Sequence, residues 1–177
     1  MIRFIKANYP LYLEFKPALE RLYIEAFTKG ISAQHITNDE ADSYLNQLFK
    51  KGYGIIGFSD DQLIAALIAI PLHLDTECPE NIQQKYNKAE SEYIAEVLVD
   101  DHFRGMGLGK KLMQTFENHL NKQTKNVLLR VWDKNEAAIA LYKKSGFEVC
   151  GHITQEKRRP NSNEKFVMHK NYMVKTY

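Results

Sequence analysis

Arg104-Gly105-Met106-Gly107-Leu108-Gly109 places three alternating glycines between two apolar patterns of different period. The preceding run, Tyr93 to Val99, has the length and apolar character of a strand. After it, Leu108, Leu112, Phe116 and Leu120 recur every fourth residue, the buried stripe of a helix. A strand entering a helix through a glycine turn makes this a mixed α/β chain, and it also prepares a ligand site. Glycine lets the backbone come close to a ligand. The first turn of a helix leaves its N–H groups unpaired and carries about half a positive charge. A pyrophosphate is the natural guest of such a turn, with Arg104 and Lys110 or Lys111 available for charge-assisted contacts. Taken alone, the glycines fit equally a flexible connection without a ligand.

Two other phosphate loops are excluded by residue identity. A Walker loop needs Ser or Thr where Lys111 stands and Gly where Arg104 stands. A dinucleotide fingerprint fails in both registers, because Lys110 or Leu112 fills the last glycine place.

The remaining pattern gives the order of elements. Ile2 to Ala7 reads as a strand, and Pro17 suits the first position of a helix running to about Gly30. Thr37 and Glu40 form a capping box ahead of a second helix with Ala41, Tyr44, Leu45, Leu48 and Phe49 as its buried stripe. Strands at Tyr53 to Phe58 and Gln62 to Leu72 flank a tight turn at Ser59-Asp60-Asp61. Leu74 to Ser91 reads as a long irregular loop. Val127 to Val131 is a strand, Glu136 to Ser145 a helix capped by Asn135 and stopped by Gly146. Phe147 to Ile153 and Lys165 to Met173 close the chain around the loop Arg158 to Glu164. With no repeat, linker or low-complexity tract, residues 1–177 are expected to form a single domain.

A net charge of +2 and 26% charged residues fall short of a nucleic-acid-binding balance. The longest apolar stretch, Leu63 to Ile70, is far below the ~20 residues of a membrane span. Cys78 and Cys150 form neither a metal-ligand spacing nor a disulfide framework, so no metal is expected and a reduced cytoplasm is the default.

Val99 to Gly109 resembles the Gln/Arg-x-x-Gly-x-Gly/Ala signature of the GNAT N-acetyltransferase superfamily, together with its preceding strand. Asn135 to Phe147 resembles that family's second cofactor motif, at the expected separation of one helix and one strand. The resemblance is strong from about Tyr93 to Val149 and covers only element order toward either end. It implies an α/β (α+β) GNAT fold: a central, mostly antiparallel mixed sheet whose parallel fourth and fifth strands splay apart, flanked by helices. The cosubstrate would be acetyl-CoA, with pantetheine in the splay hydrogen-bonded by the backbone of Val97, Leu98 and Val99 as by an added strand. Amides of Arg104, Gly105, Met106, Gly107, Leu108, Gly109 and Lys110 would hold the pyrophosphate. Asn135 matches a position that often touches the cofactor, and serves equally as a helix cap alone.

The implied reaction is direct attack of an amine on an acetyl thioester. An amine of pKa ~10.4 is neutral about once in 2,500 molecules at pH 7, a cost of roughly 4.6 kcal/mol, against about 1.4 for an α-amine of pKa ~8. By resemblance Tyr142 faces the sulfur and acts as general acid, its alternative being a helix tyrosine packed on the sheet. Glu96, alone in the apolar run Ile94 to Val99, reads as a base or amine-binding carboxylate, or else as a solvated strand residue. Glu92 is a second, weaker candidate, and several family members use a water chain instead. The loop after the first helix and the closing loop would line the acceptor site, which nominates Phe27, Ile31, Gln34, His35 and Arg159. The segment Arg158-Arg159-Pro160-Asn161 is similar to that of enzymes acetylating protein N-termini, but Arg130 stands where those carry a glutamate base. The expected partner is a small-molecule amine, polyamine or peptide N-terminus, with no nucleic acid or membrane and with room for a homodimer. The competing readings are a catalytically silent acyl-CoA-binding module and an RNA-directed acetyltransferase.

Overall fold

A computed structural model describes residues 1–177. Seven strands form one sheet: β1 (Ile2–Ala7), β2 (Tyr53–Ser59), β3 (Gln62–Pro71), β4 (Ser91–Val99), β5 (Asn126–Trp132), β6 (Glu148–Arg158) and β7 (Lys165–Thr176), in the order β1-β2-β3-β4-β5-β7-β6. Every neighbouring pair is antiparallel except β4 and β5. This is the mixed, mostly antiparallel sheet with one central parallel pair that the sequence leads one to expect.

Side-chain alternation along each strand divides the core between the two faces of the sheet. Ile56, Ala66, Ile68 and Leu128 pack with α1 (Tyr9–Thr28) and α2 (Asn38–Lys51) on one face. Ile55, Ala65, Leu67 and Leu129 pack with α4 (Leu108–Asn118) and α5 (Glu136–Lys144) on the other. The central strand β3 is covered on both sides, which explains its unbroken apolar run from Leu63 to Ile70.

Two sequence expectations are corrected. The first helix starts at Tyr9, not Pro17: Asn8 caps it by accepting from the Leu11 amide at 3.2 Å, and Pro10 sits in its first turn. Pro17 lies inside the helix, at the cost of one backbone hydrogen bond. Burial of Tyr12 and Leu19 on either side of it, with Tyr12 stacked on Phe49 at 4.3 Å, offsets that loss. The segment from Leu72 to Glu90 is also more ordered than a polar loop. It holds single helical turns at Leu72–Leu74 and Lys88–Glu90 and the short helix α3 (Glu80–Lys85), and it buries Leu72, Cys78, Ile82 and Tyr86 in the core. The second helix is capped as its sequence dictates, with both hydrogen bonds of the Thr37–Glu40 box present.

The feature that matters for function is at the centre of the sheet. β4 and β5 pair only from Ser91↔Asn126 to Ile94↔Leu129. Ala95 is then an extra residue against β3, where the register passes from Ala69↔Ile94 to Ile68↔Glu96. Such a bulge bends its strand, and beyond it β4 follows β3 while β5 follows β7. The two strands open into a V whose inner backbone groups have no strand partner.

Candidate active site

One wall of the V is β4 from Ala95 to Val99, including Val97, Leu98 and Val99. At its open end the chain makes a single turn, Asp101–Phe103, and then the glycine loop. Gly105 and Gly107 adopt φ of +77° and +75°, the left-handed region that only glycine enters without strain. Gly107 is the cap residue of α4 and has no side chain to offer. The first helical hydrogen bond runs from the Lys111 amide to the Gly107 carbonyl at 3.1 Å, so the amides of Leu108, Gly109 and Lys110 are left free. Gly109 is needed for packing: a Cβ there would stand 2.8 Å from Leu141 of α5. An uncapped helix start beside an open strand edge fits a diphosphate joined to an extended, amide-bearing arm. The Arg104 guanidinium is shared with Asp101 at 2.8 Å, so the anion-binding character of this loop comes mainly from its amides. Met106 and Lys110 are exposed at its rim, and Leu108 points into the core.

Asn135 spends its side-chain oxygen on the start of α5, accepting from the Ala138 amide at 3.2 Å. Two turns further on, Tyr142 is buried with Phe147 in the α4/α5 core. Its phenol is held well above the ordinary tyrosine range by burial, with the charge of Glu96 adding to the effect.

On the opposite face of the V, Glu96 is half-buried and accepts a hydrogen bond of 2.8 Å from the Tyr44 hydroxyl of α2. Burial pushes its carboxyl up to about 7, while Tyr44 and the cations Lys170, Arg130 and Lys157 pull the other way. Tyr44 in turn packs on Tyr23 at 5.5 Å, and Tyr23 on Phe27 at 4.9 Å. An aromatic ladder therefore leads from the end of α1 to the carboxylate. Glu92 stands elsewhere, accepting from Tyr53 and Thr124 at 2.8 and 2.9 Å near the closed end of the V.

The two loops nominated as acceptor walls do meet. The His35 amide donates to the Arg158 carbonyl at 2.7 Å, and Arg159 donates to the Ile31 carbonyl at 2.7 Å while stacking on Phe166 at 3.7 Å. Gln34 is buried against Met168, and Ile31 is a large apolar side chain left exposed. The alignment of Tyr44 and Tyr23 with Glu96 is not legible in the sequence, where Tyr44 reads as one residue of the second helix's buried stripe. Their hydroxyls were the available signal, because a buried tyrosine oxygen needs a partner. Arg130 is likewise resolved: it is half-buried, paired with Asp75 at 3.4 Å and Glu77 at 3.0 Å, and bonded to the Tyr172 hydroxyl at 3.0 Å.

A splayed parallel pair, an uncapped glycine-led helix at its open end and a half-buried carboxylate on its wall define an acyl-thioester-dependent transferase scaffold. The model of the acetyltransferase (GNAT) family matches residues 16–147, and the chain belongs to that family, whose acetyl donor is acetyl-CoA. Over 69 residues it is 32% identical to a probable spermine N(1)-acetyltransferase of Bacillus subtilis subsp. natto (strain BEST195). That match takes in 38% of this chain and 45% of the relative, so less than half of the relative's length is spanned. Among solved structures, a ribosomal-protein-alanine N-acetyltransferase from Brucella melitensis superposes with a TM-score of 0.69 at 19% identity, over 100% of this chain and 99% of that one. A protein from Salmonella typhimurium, solved with its cofactor acetyl-CoA, gives 0.69 at 13% identity over 99% and 94%. At these identities the structural likeness shows the fold alone.

Proposed function

We propose that this chain, acting as one domain, transfers the acetyl group of acetyl-CoA to a primary amine by direct attack. The observation that carries the reading is Glu96: a carboxylate on the wall of the V, kept half-buried, hydrogen-bonded by Tyr44 and raised to about 7. A base of that pKa is well matched to accept a proton near neutral pH. The acetyl thioester supplies an activated acyl carbon when bound. The residues of this chain do the rest. Free amides of Leu108 to Lys110 and their neighbours hold the diphosphate, and the unpaired edge of Val97 to Val99 aligns the pantetheine arm. Glu96 Oε2, the oxygen not engaged by Tyr44, takes the amine proton. Tyr142 Oη gives a proton to the departing sulfur.

Tyr142 is a weaker acid than free tyrosine, which by itself makes that donation harder. A thiolate formed in the same dry gap is destabilised by the same burial, so the difference between donor and acceptor changes less than either value. The ladder Phe27–Tyr23–Tyr44 offers an apolar approach that would favour the neutral amine.

Purified protein incubated with acetyl-CoA and a pooled library of amines and peptides tests this reading. Amine-dependent release of free thiol, with an acetylated product found by mass spectrometry, is expected. Saturable binding of acetyl-CoA with no product across the library would leave a silent acyl-CoA-binding module.

A further inference from the structure

The acceptor side of the sheet carries two ammonium groups without a partner. Lys170 of β7 lies opposite Ile153 of β6 and Trp132 of β5, and Lys157 of β6 lies opposite Phe166. Directly opposed residues share a face, so both lysines stand on the face that carries Arg130, Gln155 and Tyr172. This is the face on which Tyr93 and Leu128 join the core under α1 and α2, and to which Tyr44 brings Glu96. Both lysines are half-buried. Neither has a carboxylate within 4.0 Å, and neither ammonium donates a hydrogen bond to the protein. Arg130, the third cation facing this space, is already matched by Asp75 and Glu77. Burial lowers the Lys170 ammonium to about 8, helped by Lys157 and Arg130 and opposed by Glu96 and Glu77.

The Lys170 ammonium is held partly out of water with no counter-ion beside it, a cost that a bound anion would relieve. Here Glu96, with only Oε2 left free by Tyr44, shares a face with two ammonium groups that lack a counter-ion. We infer that the acceptor is an amine that also carries an anionic group, of the amino-acid or phosphoamine type, seated with its nitrogen at Glu96 and its anion at Lys170 and Lys157. A polyamine fits poorly. Once one nitrogen reaches Glu96, its remaining ammonium groups meet Lys170 and Lys157, and like charges in a partly dry site repel strongly. The inference deepens the proposed acetyl transfer and rests on it. The thioester C–S bond breaks, an N–C bond forms, the amine proton passes to Glu96, and the sulfur leaves as a thiol after protonation by Tyr142.

Matched pairs of acceptors test it on the full chain with acetyl-CoA: α-amino acids against their amides, phosphoethanolamine against ethanolamine, and spermidine beside them. The anionic member of a pair should be preferred at least ten-fold in kcat/KM. Lys170→Gln should cut that preference about ten-fold, Lys157→Gln should cut it less, and Lys170→Arg should restore most of it. Preference for spermidine or for the uncharged members overturns the inference, as does a preference that neither glutamine variant changes. If no amine is acetylated, melting of the coenzyme A-saturated protein decides separately. Stabilisation by the anionic amines that Lys170→Gln abolishes upholds this ligand class while the transfer reading fails. Stabilisation by spermidine alone, or by none of the panel, overturns the class as well.

Discussion

The Tyr44 hydroxyl donates to Glu96 Oε1 at 2.8 Å across 52 positions of sequence, tying α2 to the wall of the V. The bond favours the ionised carboxylate and partly offsets the burial that raises it. Tyr44→Phe keeps the ring packed on Tyr23 and removes only this donor. The carboxyl then rises further, above about 7. Because the base must be deprotonated to work, the rise of kcat/KM with pH should move about one unit toward alkaline pH. Rates near neutrality should fall several-fold and recover at high pH. A pH–rate profile of the variant that keeps the original midpoint would separate Glu96 from the titration.

Glu96 also makes a prediction about stability. Its folded-state pKa is raised above the ordinary carboxylate value, so the folded chain holds this proton more tightly than the unfolded one. Stability from this group is therefore present at low pH and is lost as pH rises from the usual carboxylate range through about 7. Glu96→Gln cannot ionise and keeps an acceptor for Tyr44. At pH 8 it should be more stable than the parent by about 3 kcal/mol, although acetyl transfer is lost. Near pH 4 the advantage should vanish. Denaturation midpoints of both proteins across this range give the comparison.

These two consequences concern the half of the site that sequence reveals least. The glycine loop was legible because its demands are local: φ near +75° at Gly105 and Gly107, and a helix start with no capping side chain. The Thr37–Glu40 box and the Asn135 cap are legible for the same reason, each being complete within four residues. The splay could be anticipated only through resemblance, since it depends on where β4 stops pairing with β5. The proposed acceptor side draws on Tyr44, Glu96, Lys157 and Lys170, on four separate elements. No periodicity encodes their meeting, and Tyr44 served the helical stripe equally well as a core residue. Pro17 misled for a different reason: a local penalty was outweighed by the packing of Tyr12 and Leu19, which only the folded chain reveals.

Arg130 holds the Leu72–Glu90 segment to the far half of the sheet. It meets Asp75 and Glu77 from one side and Tyr172 from the other, while the Tyr172 hydroxyl donates to Asp75 at 2.7 Å. Removing one member of a buried pair leaves the other charge uncompensated, at about 3 kcal/mol. Arg130→Met should lower Tm by roughly 6–12 °C for a chain of this size. Replacing Asp75 as well, in Arg130→Met with Asp75→Leu, should recover part of that loss, because no buried lone charge remains and Glu77, left without Arg130, is exposed to solvent. Calorimetry of the single and double variants measures both steps.

Tyr142 is expected to act on the leaving group and not on binding. Tyr142→Phe preserves the ring in the α4/α5 core and deletes the proton donor. Losing general-acid assistance lowers kcat by about 100-fold or more. The affinity for acetyl-CoA, read by calorimetry, should change less than three-fold. The loss should shrink toward nothing with acyl donors whose thiol has a low pKa, since such a sulfur leaves without a proton. Equal losses for good and poor leaving groups would remove Tyr142 from this step.

Gly107 separates the ligand role of the loop from its structural role. A Cβ at this position meets no atom within 4 Å, so Gly107→Ala creates no clash, and its effect comes from φ of +75°. Holding alanine there costs about 1–2 kcal/mol. The chain can avoid the strain by turning the loop, which moves the amides of Leu108 to Lys110 away from a common focus. Affinity for coenzyme A should then fall about ten-fold, while dephospho-coenzyme A, which keeps the diphosphate, should lose the same factor. Pantetheine, which lacks the diphosphate, should bind parent and variant alike. A ten-fold loss that also appears with pantetheine would mean that the loop shapes the V itself and does not hold the diphosphate.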